Sequence, residues 1–274
     1  MNHLSLSVDE ILQLGIQRTL DHHVIFAHIL AQGSQEQKIM AARSLGWLRS
    51  EQCAYALIDA LYDADAEVRR WVAASLALSW ADQAESILQQ CFVQESNAIV
   101  RATIIRTLGW HCLPHSASLC LTVLYQDEVA EVRAEATKAL GRIDAPSYVQ
   151  DLIYASSDAS PLVRRYAIRA LLSQTHDQVL DLLLRRSIDE DAETRAVSVR
   201  ALGYWTQERS QRALIKALDD VNPCVRLNAI VALGKHQNIA LVPLLESKTT
   251  DPHKEVRSKA LETVQIMTKN FKSS

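Results

Sequence analysis

Residues 189–203 read DEDAETRAVSVRALG, and residues 220–234 repeat the same pattern as DVNPCVRLNAIVALG. In both segments an acidic residue stands six positions before an arginine, and a Leu-Gly pair begins seven positions after it. The pattern continues outward in both directions, with a cation as its anchor every 31 or 32 residues. A fixed period of this length is the signature of a repeat protein built from one supersecondary unit. The anchors are Lys38, Arg69, Arg101, Arg133, Arg164, Arg195, Arg226 and Arg257.

Each repeat is predicted to contain two antiparallel helices, with first helices that include residues 52–62, 148–155 and 211–218. In the second helix, apolar or small residues lie at positions −1, +3, +4 and +7 relative to the anchor, which forms one face at 3.6 residues per turn. A residue that favours the helix N-cap stands four positions before most anchors. Glycine at position +8 is predicted to end the second helix in the left-handed conformation. These glycines are Gly46, Gly109, Gly141, Gly203 and Gly234.

One such hairpin cannot bury its own apolar face, so about eight of them are expected to stack into an all-α, right-handed α-solenoid. We predict a single domain over residues 1–274. It would consist of an N-terminal helix within residues 1–20, repeats over 21–268 and a frayed tail at 269–274. Only 7 Gly and 6 Pro among 274 residues argue against a many-stranded β protein.

Charge and cysteine content narrow the functional classes. Lys and Arg total 29 against 32 Asp and Glu, and the resulting net charge of −3 argues against a wholly basic surface that coats nucleic acid. No stretch has the length and apolar character of a membrane span, and the first residues lack the pattern of a signal peptide. Five cysteines without CxxC spacing indicate reduced, mostly buried thiols. We therefore expect a cytoplasmic protein.

The acid and arginine six residues apart, followed by the Ala, Leu and Gly of positions +3 to +8, resemble HEAT repeats. The short period of about 31 residues is most similar to the phycobilisome-lyase type. The resemblance covers residues 21–268 and implies the solenoid fold. It is less specific for function, because the family includes scaffolds, bilin lyase subunits and chaperones, a metal hydroxylase and DNA glycosylases.

The repeated acid and arginine could be a ligand site or a structural ladder. A catalytic carboxylate pair would be local, whereas this pair recurs in every repeat but the first, in which Gln32 replaces the acid. We therefore predict that Asp127, Asp158, Asp189 and Asp220 hydrogen-bond an anchor arginine or a backbone amide at the repeat turns. Removing Asp189 would cost on the order of 1–3 kcal/mol.

Metal chemistry is not favoured by the sequence. The resemblance implies that a hydroxylase of this family would bind iron through His-Glu dipeptides, and none of the nine histidines is followed by Glu. His111, Cys112, His115 and Cys120 have no standard zinc spacing, and a loop histidine with buried thiols explains them. His22, His23 and His28 are no better arranged, since adjacent helical residues point in different directions. No metal site is predicted.

Positions +2, +5 and +9 of the second helices lie opposite the core on a helical wheel, and HEAT-like solenoids place their second helices on the concave side. These positions hold eight Lys or Arg and two acids. Arg, Trp and Tyr also dominate binding hot spots, although each aromatic residue could instead fill a gap between repeats. We call the predicted binding surface the stripe. It consists of Arg43, Trp47, Trp71, Arg106, Trp110, Lys138, Arg142, Tyr166, Arg169, Arg200, Tyr204 and Lys235.

The favoured hypothesis is a non-enzymatic scaffold or adaptor that binds an acidic protein segment along the stripe without a cofactor, since no nucleophile and base are paired in the sequence. One alternative is a bilin lyase subunit or chromophore chaperone, in which the stripe would hold the propionates and rings of a bilin. Another is nucleic-acid binding or base excision like that of a DNA glycosylase, which the overall acidity disfavours. The sequence does not determine the partner or the oligomeric state.

Overall fold

The computed structural model describes residues 3–272, and it is an all-α solenoid of helical hairpins with no β-strand among those residues. Its contacts group the chain into two compact units, and the division along the sequence falls between Asp144 and Ala145. Unit 1 contains α1 (Val8–Ile16), α2 (His23–Gln32), α3 (Gln35–Leu48), α4 (Glu51–Asp59), α5 (Ala66–Ser75), α6 (Ala84–Gln94), α7 (Ala98–Trp110), α8 (Ala117–Gln126) and α9 (Ala130–Asp144). Unit 2 contains α10 (Val149–Ala155), α11 (Pro161–Ala170), α12 (Asp177–Arg186), α13 (Ala192–Leu202), α14 (Glu208–Ala217), α15 (Pro223–Lys235), α16 (Val242–Glu246) and α17 (Lys254–Lys272).

The eight predicted hairpins are present, and each second helix begins three residues before its anchor, as the period requires. These second helices are the odd-numbered helices from α3 to α17. Their starts are set by side chains that cap the first backbone amides, such as Asp65 on α5 and Asp191 on α13. Pro161 and Pro223 occupy the first turns of α11 and α15, where a missing backbone N–H costs no helical hydrogen bond. The predicted helical register is therefore confirmed.

The helices at the two ends of the chain agree only in part with the prediction. The predicted N-terminal helix is present as α1, and a capping box starts it: Glu10 N donates to Ser7 Oγ at 3.3 Å and Ser7 N donates to the Glu10 carboxylate at 2.7 Å. The last helix continues past Lys269 to Lys272, where a frayed tail was expected, while residues 1–2 and 273–274 lie outside the described residues. None of the described helices is long and apolar enough to cross a membrane. The single domain over residues 1–274 stays a prediction.

The interpretation of the +8 glycines as left-handed helix ends is wrong. No described glycine has a positive φ, and the left-handed residues are Arg18, Arg49, Cys112 and Gln237, of which the last three stand three positions after Gly46, Gly109 and Gly234. Gly46, Gly109, Gly203 and Gly234 instead allow consecutive second helices to touch. A Cβ atom on Gly109 would lie 2.5 Å from Ala139 Cβ and 2.8 Å from Ala139 Cα. Glycine at +8 therefore reflects close packing between helices rather than the end of one helix.

Gly109→Ala should lower the free energy of unfolding by about 1–3 kcal/mol, the usual cost of overpacking. Alanine is the better helix former by roughly 1 kcal/mol, but the clash with the Ala139 backbone outweighs that gain. Urea unfolding followed by circular dichroism measures the effect. Adding Ala139→Gly removes the Cβ contact and should restore part of the loss. A more stable Gly109→Ala variant would show that α7 and α9 can separate without cost.

Helix α1 is the remnant of another repeat, which the sequence interpretation missed. Leu14 and Gly15 stand 31 residues before Leu45 and Gly46. α1 packs against α3 as one second helix packs against the next, and a Cβ on Gly15 would lie 2.4 Å from Ser44 Oγ. Arg18 follows α1 at φ 52°, the same value as Arg49 after α3. This repeat lacks an anchor cation, which is why the search by anchors did not find it.

The anchors and acids form the predicted ladder. Six of the anchors pair with the acid of the next repeat, in unit 1 through pairs such as Arg69–Glu95 at 2.7 Å and in unit 2 through pairs such as Arg195–Asp220 at 2.7 Å. The second guanidinium branch donates to backbone carbonyls at the turn of its own repeat, as Arg195 does to the Asp189 carbonyl at 2.9 Å. The same acid accepts a backbone amide two residues later. The measured pairs are Lys38–Asp63, Arg69–Glu95, Arg101–Asp127, Arg164–Asp189, Arg195–Asp220 and Arg226–Asp251.

Candidate functional site

The second helices line one face of each unit. In unit 1 the helices α1, α3, α5, α7 and α9 contact one another in succession, and in unit 2 α11, α13, α15 and α17 do the same. Residues at equal positions in neighbouring second helices therefore lie side by side, about 8–10 Å apart if the helices pack at usual distances. We describe the stripe on this face separately in each unit.

All twelve stripe residues reach solvent, but the wheel overestimated the exposure of position +2. At that position Met40, Thr103 and Val197 are buried. A wheel treats one helix alone, whereas position +2 turns toward the next second helix. Of the stripe residues, Arg43, Trp47, Trp71, Lys138 and Tyr166 are half-buried, and Arg106, Trp110, Arg142, Arg169, Arg200, Tyr204 and Lys235 are exposed.

At the start of unit 1 an arginine lies between two tryptophans. The guanidinium carbon of Arg43 is 5.5 Å from the centroid of the Trp47 ring and 4.9 Å from that of Trp71. Arg70, which the sequence interpretation did not include, also lies over Trp71 at 4.6 Å while it pairs with Glu67. These distances are typical of cation–π contacts. Two rings and two cations of α3 and α5 are thus held together at the surface.

A second cluster in unit 1 joins α7 and α9. Trp110 is 59% exposed, and the guanidinium carbon of Arg142 lies 5.3 Å from its ring centroid. Both residues occupy position +9 of their repeats, so the contact follows from the repeat period. Arg106 is exposed one turn away and donates to Thr103 Oγ1 at 3.3 Å. The cluster therefore presents an aromatic ring and two cations to solvent.

Unit 2 repeats this arrangement. Arg169 lies 5.4 Å from the ring centroid of Tyr166 on α11, and Lys235 Nζ on α15 lies 3.7 Å from the ring centroid of Tyr204. The pKa of Tyr204 is lowered, first by its hydrogen bond with Lys235 and also by the positive charges of Lys235 and Arg200. Both tyrosines therefore lie beside a cation on this face of unit 2.

Not every stripe cation is available to a partner. Lys138 Nζ pairs with Glu135 at 2.8 Å, and on α17 Lys259, at the corresponding face, pairs with Glu262 at 2.6 Å. Among the described residues, six stripe cations have no carboxylate within 4.0 Å. They are Arg43, Arg106 and Arg142 in unit 1 and Arg169, Arg200 and Lys235 in unit 2.

The histidines and cysteines near the end of α7 are occupied by local contacts. The His111 ring lies 3.9 Å from Trp80 between centroids, its Nε2 is 3.2 Å from the Leu76 carbonyl oxygen, and burial lowers its pKa. Cys120 is buried, which raises its pKa to about 12. Cys112, expected to be buried, is exposed in the left-handed turn after α7. Across residues 3–272, no three His, Cys, Asp or Glu side chains are arranged to hold a metal ion.

A further cleft of unit 2 lies at the repeat turns, away from the stripe. It has a volume of about 640 Å³ and is lined by Ile188 and Val221 together with Asp189, Arg195 and Asp220 of the ladder. Arg195 and Asp220 already pair with each other, and Asp189 accepts from Arg164. These three charged groups therefore hold the repeats together.

Comparison with known proteins agrees with this architecture. A family model for HEAT repeats matches residues 24–109, 84–171, 117–192 and 182–265. The solved structure of YibA from Escherichia coli is 20% identical, with 92% of this chain and 96% of that chain covered and a TM-score of 0.67. An engineered protein is 18% identical, with coverages of 94% and 84% and a TM-score of 0.50. Human deoxyhypusine hydroxylase is 20% identical, with coverages of 94% and 99% and a TM-score of 0.44.

No protein of curated function matches the sequence. At these identities the likeness to solved structures concerns the fold. The family matches together span residues 24–265, and the hairpins α2–α17 follow the same repeat along that range. The chain belongs to the family of HEAT-repeat proteins.

Proposed function

We propose that this HEAT-repeat protein is a non-enzymatic scaffold that binds an acidic protein segment on the second-helix face. The observation that carries the proposal is the contrast between two sets of cations on the same helices. The anchors, such as Arg195, are paired with carboxylates, whereas Arg169 and Arg200 on neighbouring turns are exposed without one. A protein that can pair its cations internally and leaves one surface unpaired presents positive potential there.

The aromatic contacts support the same function. Stacking of Arg142 on Trp110 and of Lys235 on Tyr204 orients each cation without neutralising its charge. A partner carboxylate can therefore pair with an oriented cation, and its neighbouring side chains can cover the ring. Trp, Tyr and Arg are the residue types that contribute most at protein interfaces. Ordering the cations beforehand lowers the entropic cost of binding.

The repeat spacing sets the form of a suitable probe. A polyproline II segment advances about 9 Å per turn of three residues, close to the roughly 8–10 Å between packed helices. A peptide of repeated Glu-Pro-Pro units therefore places one carboxylate opposite each repeat. The matched control is the same peptide with Gln in place of Glu.

Fluorescence anisotropy of the labelled peptides tests the proposal. The Glu peptide should bind at about 0.05 M salt and weaken at least tenfold at about 0.5 M, because the salt screens exposed charges. The Gln peptide should bind weakly at both concentrations. Equal binding of the two peptides would contradict the proposal that the stripe binds acidic segments through its charges.

Two further ligands distinguish the scaffold from the alternative functions. The assignment of the repeats to the phycobilisome-lyase type of HEAT repeat stays a prediction. A bilin that binds this face would change its absorbance spectrum on addition of the protein, and that result would favour the chromophore chaperone. Single-stranded DNA that binds more tightly than the Glu peptide at equal salt would favour a nucleic-acid partner. Binding of the Glu peptide alone supports the scaffold.

A further inference from the structure

The cations of unit 2 end at an apolar cleft. At position +5, Arg169 and Arg200 are followed in the next repeat by Val231. At position +9, Tyr204 and Lys235 are followed by Ile266, which the sequence interpretation had not included in the stripe. Aliphatic residues thus replace the basic and aromatic ones at position +5 of the seventh repeat and at position +9 of the eighth, while Glu262 occupies position +5 of the eighth.

The cleft lies between α15 and α17 and has a volume of about 250 Å³. We call it the α15/α17 cleft. Met267 and Thr263 are buried in it, whereas Ile266 is 47% exposed. Asn270 Nδ2 donates to Gln237 Oε1 at 3.0 Å beside it. Its lining is Val231, Gly234, Lys235, Gln237, Lys259, Thr263, Ile266 and Met267.

The charge at the edge of the cleft is positive. Lys235 lines it and has no carboxylate within 4.0 Å among the described residues, while Lys259 pairs with Glu262. Arg200 carries a further free positive charge on α13, close enough to Tyr204 to lower the pKa of that phenol. The surface thus combines an aliphatic depression with adjacent cations on the side of α13 and α15.

We infer that the α15/α17 cleft binds an aliphatic side chain of the acidic segment, next to a carboxylate that pairs with Lys235. This inference rests on the proposed function and names the motif that the partner carries, namely acidic residues flanking a Leu, Ile or Met. The volume is below the roughly 300–1,000 Å³ of sites for whole small ligands, so a single side chain is the fitting occupant. Burial of the Ile266 and Val231 side chains beneath the bound residue supplies the affinity.

The test uses two pairs of labelled peptides made of Glu-Pro-Pro units. In one pair the proline nearest the N-terminus is replaced by Leu or by Ser, and in the other pair the proline nearest the C-terminus is replaced in the same way. One of the Leu peptides should bind about 10- to 100-fold more tightly than its Ser counterpart, which corresponds to burial of one leucine. Ile266→Ser should abolish most of that difference. Leu261→Ser is the matched control, because Leu261 is 51% exposed on the same helix and does not line the cleft.

The outcomes separate the two proposals. If the Leu and Ser peptides bind equally while both bind more tightly than Gln versions, the cleft proposal is wrong and the proposed binding of acidic segments to the stripe stands. If neither Glu-bearing peptide binds better than its Gln version, the proposed function itself fails. If Leu261→Ser reduces the leucine preference as much as Ile266→Ser, the side chain binds elsewhere on α17 and the cleft is excluded. Circular dichroism of both variants verifies that the total helical content is unchanged.

Discussion

Asp189→Ala should lower the free energy of unfolding by about 3–5 kcal/mol, the usual result of removing one partner of a buried ion pair. Asp189 is buried and accepts from Arg164 at 2.6 Å, from Arg186 at 3.1 Å and from the Asp191 amide at 3.0 Å. Arg164 is itself 4% exposed, so its guanidinium cannot turn to water when the carboxylate is lost. Three donors thus lose their acceptor at once. This structural detail raises the expected cost above the value anticipated from sequence.

Urea unfolding of Asp189→Ala and of the parent protein measures the difference in the free energy of unfolding. The control is Asp181→Ala, which removes the exposed Arg209–Asp181 pair in the same unit and should cost less than about 1 kcal/mol. Equal stability of Asp189→Ala and the parent protein would show that Glu190, whose carboxylate lies 3.3 Å from Arg164, replaces Asp189 fully.

The same pair gives the stability a defined dependence on pH. Burial opposes ionisation of Asp189, but hydrogen bonds from the Asp191 amide, Arg164 and Arg186 outweigh it and hold its pKa below the ordinary value. A depressed carboxyl pKa stabilises the folded state above the unfolded pKa of about 4, and that contribution is lost as the pH falls through the folded pKa. Denaturation midpoints of Asp189→Ala should therefore fall less steeply below about pH 4 than those of the parent protein.

The double change Arg169→Glu and Arg200→Glu should weaken binding of the Glu-Pro-Pro peptide about 10- to 100-fold at low salt, because two attractions become repulsions. Both side chains are exposed and have no carboxylate partner among the described residues, so the melting temperature should stay nearly unchanged. The salt dependence of binding should flatten at the same time, because fewer charge pairs are left to screen. Anisotropy titrations at two salt concentrations measure both effects.

The control for that variant reverses two other exposed cations of unit 2, Arg185 on α12 and Lys216 on α14. Arg185→Glu with Lys216→Glu changes the net charge by the same amount but leaves the second-helix face intact. If this control weakens binding equally, the peptide responds to net charge and not to the stripe. If Arg169→Glu with Arg200→Glu unfolds the protein, these arginines have a structural role. The proposal that the stripe is a binding surface is then wrong.

Much of the architecture was predictable because its determinants are local and repeated. An N-cap such as Asp191 and an anchor such as Arg195 act within one or two turns, so their spacing predicts where each second helix begins. The ladder was predictable for the same reason: a buried guanidinium needs an acceptor, and the repeated acid supplies one. The period then places that acid in the neighbouring repeat.

The errors arose where a second helix meets its neighbour. Gly109 stands near a helix end, and only the closeness of Ala139 shows that packing and not chain reversal requires it. Met40 and Val197 appeared exposed because the wheel omits the adjacent helix that covers them. The contact of Trp110 with Arg142 was accessible in principle, since both occupy position +9 of successive repeats. Ile266 was missed because its aliphatic side chain interrupts a basic pattern.

The glycine contacts also set the spacing of the groups that would contact a ligand. In unit 2, a Cβ on Gly203 would lie 2.8 Å from Ala232 Cβ, and one on Gly234 would lie 2.6 Å from Thr263 Cγ2. These contacts determine how far apart α13, α15 and α17 lie, and hence the interval at which Arg200, Lys235 and the α15/α17 cleft meet a ligand. A larger residue at either glycine would lengthen that interval without altering any group that touches the ligand. The protein could then keep its charges and its aliphatic cleft and still fail to match a partner whose side chains are spaced for the original pitch.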